Sequence, residues 1–492
     1  MPRQRCAAGA CPRCAVRLSF AHASAGHHVP VIVLVADGAR PDTLAGDLGS
    51  FPALKRLRDE GTLSTVTSVF PSVTGPAYLP FLLGRFPGSV GIPGLRWYDR
   101  SRERCGWPDY ARSYVGYELG RIDADLDPVA PTIFELVPCS LAAFSVVTRG
   151  LRREGRIGAL TPRLALRAAF THFRGRPERW IDIDREVADA LLARVRRERP
   201  DFLFAALTGI DKASHARGHD SAMVIDALGV VDDVAGRLRA EAERGGWWDE
   251  THLWIVSDHG HAPVQVHDDL AADVARAGYR TVAHPWSMGV APEVAVMVSG
   301  NAMAHLYLEP RERTKRGWSR LVRRWSPLVE LLLARPSVDL MLLPHDAGRC
   351  EVRGARGTAF VERRGDRFAY RRTAGDPLGL GHDVEGDADG AYDATVGSDY
   401  PDGIVQIAVL AGAARSGDVI LSATPGYDFR ARYEPIPHRS AHGALHRDHM
   451  LVPLLTNRPP ARAPRRTTDI FASALAALGV APPDEMDGRS FV

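Results

Sequence analysis

The sequence predicts an α/β protein: a doubly wound, mostly parallel sheet flanked by helices, with an inserted α+β cap subdomain. Three observations carry that expectation. Apolar, β-branched runs of strand length recur along the chain, at Val31–Ala36, Ala142–Val147, Phe202–Leu207, His252–Val256 and Leu451–Leu455. Runs apolar on both faces suit parallel strands buried between two helix layers. The stretches between them place apolar residues at three-to-four spacing, and strands alternating with such helices make a parallel sheet. Finally, the pattern changes between about residues 270 and 438, where short β-like runs and Gly- and Asp-rich turns take over.

In chain order, residues 1–29 read as a disordered tail. It holds Cys6, Cys11 and Cys14, and although Cys11–Pro–Arg–Cys14 has zinc-knuckle spacing, no second Cys/His pair follows at a suitable distance. His27 and His28 go with the tail. After the Val31–Ala36 strand, Phe51–Glu60 reads as a helix, with Pro52 near its start and Gly61 at its end. Thr65–Phe70 is strand-like, and a helix is expected from Thr74 toward Leu83. Asp184–Arg199 reads as a helix ending before Pro200, as do Ser221–Arg244 and Thr467–Leu478, the last stopped by Gly479. The main domain is therefore expected to comprise residues 30–269 and 439–492, and the cap residues 270–438. Within the cap, Ala304–Leu308, Val338–Leu343, Gly357–Val361 and Arg367–Arg371 read as strands, and Lys315–Arg335 as a basic helix. No repeat of solenoid period occurs.

Composition narrows the function classes. The hydrophobic fraction of 45% and charged fraction of 25% are those of a globular protein. A net charge of +3 is close to balance, which argues against a nucleic-acid duplex as partner. Arginine carries almost all the positive charge, since Lys55, Lys212 and Lys315 are the only lysines. No apolar stretch reaches the roughly 20 residues that span a bilayer. Met1–Pro30 has no apolar h-region, so no signal peptide is apparent and a cytoplasmic location is expected, an exported form staying open if the start is mis-assigned. Cys105, Cys139 and Cys350 are scattered and make no disulfide framework. Oligomeric state has no signature.

The chemistry lies where the acidic residues fall. Val31–Ala36 runs into Asp37–Gly38, Phe202–Leu207 is followed by Thr–Gly–Ile–Asp211, and Leu253–Val256 by Ser–Asp258–His259–Gly260. In an open parallel sheet the ligand crevice lies beyond the carboxyl ends of the strands, so three such ends can converge. One aspartate after a strand is more often a turn or helix N-cap; three, two of them with histidine partners, are a different matter. Asp211 and His215, four apart, share a face if the segment is helical. Asp258 and His259 are adjacent and need a loop, which Ser257 and Gly260 permit. His442 sits in Ser440–Ala–His–Gly just before the last strand. Carboxylates with imidazoles suit zinc, with manganese as the alternative. Thr74, in Phe70–Pro–Ser–Val–Thr–Gly–Pro76, places a hydroxyl at an expected helix start, where backbone N–H groups favour a phosphate. A plain N-cap is the alternative for Thr74, and Ser72 the fallback nucleophile.

Asp37, Pro71–Ser–Val–Thr74, Asp211-x-x-x-His215, Ser257–Asp–His–Gly260 and the late His442–Gly443 occur in an order that resembles the alkaline phosphatase superfamily, most closely its nucleotide pyrophosphatase/phosphodiesterase branch. The resemblance covers roughly Val31–Asp99, Phe202–His261 and His438–Val492. It implies a hydrolase of small phosphate esters with two divalent ions. One would be held by Asp211, His215 and His442, the other by Asp37, Asp258 and His259 with the Thr74 oxygen. It also implies Thr74 as nucleophile, through a phospho-threonine intermediate. Phosphomonoesterase, phosphoryl-transferring mutase and non-catalytic metal binder stay open beside phosphodiesterase. The chain departs from that branch in Val90–Asp99, which lacks the branch's phosphate-binding asparagine; Arg96 is the substitute donor, or a surface arginine. Thr74–Gly–Pro76–Ala–Tyr78 keeps the proline but neither the Cys/Ser nor the arginine of a sulfatase signature. Trp97 and Tyr98 could stack on a substrate or pack in the core, and the cap, with Trp286, Trp318 and several arginines, could bind the second substituent of a diester. His261, His267, His446 and His449 are expected at the surface or behind the ligands, and Arg311–Arg324 as a solvated helix face.

Overall fold

Val31–Ala36 forms the centre of a seven-stranded sheet because all six of its side chains are apolar and fully buried. The computed structural model describes residues 30–101, 110–158, 166–167, 170–171, 176–284, 291–430 and 438–492. The N-terminal cysteines, His27, His28, Cys105 and Trp286 lie outside them. The strand order is Thr62–Thr67, Leu451–Thr456, His252–Val256, Val31–Ala36, Phe202–Leu207, Ser140–Ala143, Arg156–Ile157. Val31–Ala36 pairs in parallel with both Phe202–Leu207 and His252–Val256, in registers Val31↔Phe202 and Val31↔His252. Those registers bring the three carboxyl ends to one level.

Side chains alternate between two apolar layers, as the pleat requires. Val31, Val33 and Val35 pack with Tyr78, Leu82 and Phe471 on one face. Ile32, Leu34 and Ala36 pack on the other with Leu191, Leu228 and Val231, from helices Glu178–Glu198 and Ala222–Gly245. Among the described residues no helix is long and apolar enough to cross a membrane.

Three elements differ from expectation. Leu451–Thr456 is not parallel but runs antiparallel to His252–Val256 and to Thr62–Thr67. The chain reaches this strand from His442, at the carboxyl ends of the parallel strands, so it can only run back the other way. The strand expected at Ala142–Val147 is Ser140–Ala143, ended by Phe144 at φ 52°, a left-handed conformation no strand continues through. The helix expected to start at Asp184 starts at Glu178, just after Pro177.

The β-like runs after residue 280 join a nine-stranded sheet spanning Thr281–Ala283 to Val384–Gly386, with Val419–Ala423 inserted between Met303–Leu308 and Val338–Pro344. Helix Trp318–Leu333 buries Trp318, Leu321, Trp325, Leu328, Val329 and Leu332 against it, so Trp318 is core. On the other face Leu340, Leu342 and Ile420 pack with Val69, Phe70 and Ala77. These flank Thr74, so the second sheet buttresses the segment that bears the hydroxyl.

Candidate metal and active centre

Four pieces of chain meet at the carboxyl ends of the parallel strands. Asp37 directly follows Val31–Ala36. Asp211 and His215 sit one turn apart on helix Gly209–Arg217, with His215 Nε2 3.2 Å from Asp211 Oδ1. Asp258 and His259 occupy the turn after His252–Val256. His442 follows the short strand Ser440–Ala441 and is held by bridges from Ser72 to Gly443 and from Asn301 to His442. Gly260 is required by crowding: a Cβ there would lie 2.2 Å from Asp448 O.

Asp211 is the hub. Its Oδ1 lies 3.2 Å from His215 Nε2, 3.0 Å from His261 Nε2 and 3.5 Å from His442 Nε2, while Lys212 Nζ donates to Oδ2 at 2.7 Å. One group able to hold a cation is Asp211, His215, His261 and His442; a second is Asp37, Asp211 and His259. Asp258 flanks the second, its Oδ2 3.5 Å from His259 Nε2 and its Oδ1 accepting from Gly38 N at 3.3 Å. The His259 and His442 rings stack at 3.6 Å, one from each side.

Thr74 is half-buried, and its hydroxyl lies 3.0 Å from His259 Nε2 and 3.3 Å from Asp37 Oδ1. Ser72 is fully buried and its hydroxyl donates to Ala444 O at 3.0 Å, so it turns away from the cluster. Thr74 does not open a long helix: it sits in a turn before Pro76–Tyr78 and the short helix Leu79–Leu83. Tyr78, one turn on, donates to Asp37 Oδ2 at 3.1 Å.

The donor set fits divalent cations. Asp258 Oδ2 is buried with no hydrogen-bond partner, an orphan of the kind a cation satisfies. Burial, reinforced by Asp258 and Asp211, pushes the Asp37 carboxyl well above its usual range. Burial also raises Asp258, outweighing the pull of His259. Asp211 meets the same burial, but Lys212, His215 and His261 overcome it and hold its carboxyl well below the carboxylate range. Burial holds His442 well below the ordinary imidazole value and pushes His261 down to about 3. Neutral imidazoles among crowded carboxylates present lone pairs with little positive charge to meet them, which is a cation's coordination environment.

Arg96, Trp97, Tyr98, His267 and His446 belong to neither cation group. Arg96 lies on strand Arg96–Tyr98, its backbone N donating to Ser299 Oγ at 3.1 Å and its Nε to Ser113 Oγ at 3.4 Å. Trp97 is fully buried, Nε1 donating to Tyr114 OH at 2.9 Å, and Tyr98 is buried as well, so both are core and not stacking platforms. His267 pairs with Asp428 at 2.8 Å, and His446 accepts from Asp448 N. His261, expected at the surface or behind the ligands, is fully buried against Asp211. What gives it a role is contact with Asp211, 50 positions away, which local spacing does not show. Lys212 was legible only as one of three lysines in an arginine-rich chain.

The helix bearing Asp211 and His215 starts on a buried acid. Asp184 Oδ2 accepts from Gly209 N at 2.6 Å, and burial pushes its carboxyl up to about 7. A raised carboxyl means the folded protein holds a proton that the unfolded chain releases, so this group's contribution to stability falls as pH rises from about 4 to about 7. Unfolding in urea across that range should show Asp184→Asn gaining on the wild type as pH rises, by up to about 4 kcal/mol. Parallel pH profiles would refute it.

A family profile described as "Type I phosphodiesterase / nucleotide pyrophosphatase" matches residues 31–445. Human ectonucleotide pyrophosphatase/phosphodiesterase family member 1 is 23% identical over 253 residues, 47% of this chain and 23% of that protein; the rat protein matches similarly, at 24% over 254 residues. The match thus spans about a quarter of the length of these curated relatives. Among solved structures, phosphonoacetate hydrolase from Sinorhizobium meliloti superposes with a TM-score of 0.53 at 18% identity, covering 92% of this chain and 96% of that one. Human ectonucleotide pyrophosphatase/phosphodiesterase 5 superposes with a TM-score of 0.55 at 13% identity, covering 93% and 97%. At such identities these two show the shared fold. The family match includes every residue of the Asp/His/Thr cluster from Asp37 to His442, and the chain belongs to the type I phosphodiesterase/nucleotide pyrophosphatase family, within the alkaline phosphatase superfamily.

Proposed function

We propose that this protein hydrolyses small phosphodiesters with two divalent ions, zinc first and manganese second, through Thr74. The observation that carries this reading is the Thr74 hydroxyl, 3.0 Å from His259 and 3.3 Å from Asp37 at the edge of the buried Asp/His cluster. Asp211, His215 and His442 would hold one ion, and Asp37, Asp258 and His259 the other. Bound there, the ions would lower the pKa of the Thr74 hydroxyl and offset charge on the phosphoryl oxygens. His259 Nδ1 donates to Gly260 O at 3.2 Å, which keeps the Nε2 lone pair toward Thr74. Asp37, fixed by Tyr78, directs the same hydroxyl. Thr74 gives its proton to solvent water, and its oxygen forms the new P–O bond as the ester P–O bond breaks in line. The alcohol leaves with that electron pair and takes a proton from water. Water then cleaves the threonyl phosphate, returning a proton to Thr74 and releasing the phosphate monoester.

The family match supports a diester; so do relatives, since a murine ectonucleotide pyrophosphatase/phosphodiesterase 5 structure holds AMP, a phosphate monoester of the kind diester cleavage releases. Arg96 is carried in this proposal as a phosphate-binding residue. The test compares kcat/KM for an aryl phosphate with that for its methyl or nucleotidyl diester on metal-loaded protein. The diester should be favoured by roughly tenfold or more. Preference for the monoester, abolished by Arg96→Ala, would overturn the diester assignment. Turnover of neither by protein shown to hold metal would overturn the enzyme assignment.

A further inference from the structure

Three imidazoles face Asp211 Oδ1, and their far nitrogens sort them into two kinds. His215 Nδ1 donates to Ser440 O and His442 Nδ1 to Ser72 O, each at 2.9 Å. A carbonyl only accepts, so both rings keep their proton on Nδ1 and turn an Nε2 lone pair inward. His261 Nδ1 instead faces the Ser440 hydroxyl at 3.1 Å, a group that can donate or accept.

The hydroxyl has one proton and two places to put it. Ser440 Oγ also lies 2.7 Å from Ser214 O, but that carbonyl already receives Gly218 N–H at 2.9 Å. With the proton on Ser214 O, His261 would have to protonate Nδ1. Its Nε2 lone pair would then face the Asp211 carboxylate across 3.0 Å with no solvent access, an opposition of two acceptors that only a third cation-facing lone pair beside those of His215 and His442 would relieve. With the Ser440 O–H donating to an unprotonated His261 Nδ1, no atom of the three is left wanting, and Nε2–H donates to Asp211 Oδ1.

Distances agree with this sorting. Two donors on one tetrahedral ion, each about 2.1 Å from it, stand roughly 3.4 Å apart. His442 lies 3.5 Å from Asp211 Oδ1, near that span, and His261 at 3.0 Å, a hydrogen-bond length, with His215 between them at 3.2 Å. Gly38, at φ +78°, packs so close to the His261 ring that a Cβ on it would come within 2.9 Å.

The geometry points to a Ser440–His261–Asp211 relay in which His261 is a positioning residue and not a ligand. Its Nε2–H orients Asp211 Oδ1, Ser440 sets its tautomer, and Lys212 holds Oδ2 from the other side. This rests on the two-ion reading above, in which Asp211 is a ligand. Partners of this kind tune metal affinity by roughly 10–100-fold.

The test measures affinity for each of two zinc ions by chelator competition, and the number of imidazoles around zinc by X-ray absorption. Variants are His261→Leu, His261→Gln and Ser440→Ala, with apo-protein folding followed by circular dichroism. Glutamine places an N–H donor near the Nε2 position; leucine fills similar space without one. His261→Leu should weaken one ion by roughly 10–100-fold and leave the other unchanged. His261→Gln should recover most of that loss, and Ser440→Ala should fall between wild type and His261→Leu, with the imidazole count unaltered in all three. Wild-type affinity for both ions in folded His261→Leu would overturn the relay, as would equal loss in the Leu and Gln variants. An imidazole count lowered in His261→Gln would make His261 a ligand instead. Failure of the wild type to bind zinc or manganese would remove the two-ion reading and the relay with it.

Discussion

Replacing Thr74 with alanine should lower kcat by at least about 10³-fold, because the variant loses the hydroxyl that fronts both Asp37 and His259. Thr74 fronts Asp37 and His259, whereas Ser72 is fully buried and donates its proton to Ala444 O. Ser72 therefore cannot take over without moving the chain. Metal content and the unfolding transition should stay close to wild type, since Thr74 is half-buried and supports no core contact comparable to that of Phe70 or Ala77. Thr74→Ser should retain measurable turnover, as the reacting oxygen survives. Steady-state kinetics with elemental analysis on the same samples decides it. A benign Thr74→Ala beside a dead Ser72→Ala would reverse the assignment of the two hydroxyls.

Asp211→Ala should be as damaging, for a different reason. Asp211 belongs to both candidate cation groups and is the common neighbour of His215, His261 and His442. Without it His215, His261 and His442 lose the carboxylate they share, and Lys212 loses its partner at 2.7 Å. Loss of one cation removes several kcal/mol of charge stabilisation at the reacting group, or roughly 10³-fold in kcat/KM. Elemental analysis should find one fewer ion per chain than in the wild type. Full metal content with full activity in this variant would place the ions elsewhere.

Much of this was legible in the sequence because parallel strands advertise themselves. Val31–Ala36, Phe202–Leu207 and His252–Val256 are apolar on both faces, so their limits follow from where apolar residues stop. The acids beyond them then mark one edge of the sheet. The direction of Leu451–Thr456 was not legible, since a run apolar on both faces looks the same either way; its sense is set by the long-range need to leave His442 at that edge. The end of Ser140–Ala143 was missed because a positive φ at Phe144 has no signature in a phenylalanine. At the centre, paired residues such as Asp211 and His215 declare themselves through spacing. His261 and Tyr78 do not, because what gives them a role is contact with residues 50 and 41 positions away. Trp97 and Tyr98 stood open between stacking and core from sequence, and their burial makes them core.

The bond from His442 Nδ1 to Ser72 O joins positions 370 residues apart, and the whole second sheet is made from the chain between them. Biosynthesis runs from the N-terminus, so the first strand, the Thr74 segment and both central helices emerge from the ribosome long before His442 exists. Until then Asp37, Asp211 and Asp258 stand together without their final imidazole, and the Thr74 segment lacks the sheet that backs it. Assembly of the centre thus waits for the chain to reach His442, and the main sheet waits longer still, since Leu451–Thr456 lies between Thr62–Thr67 and His252–Val256.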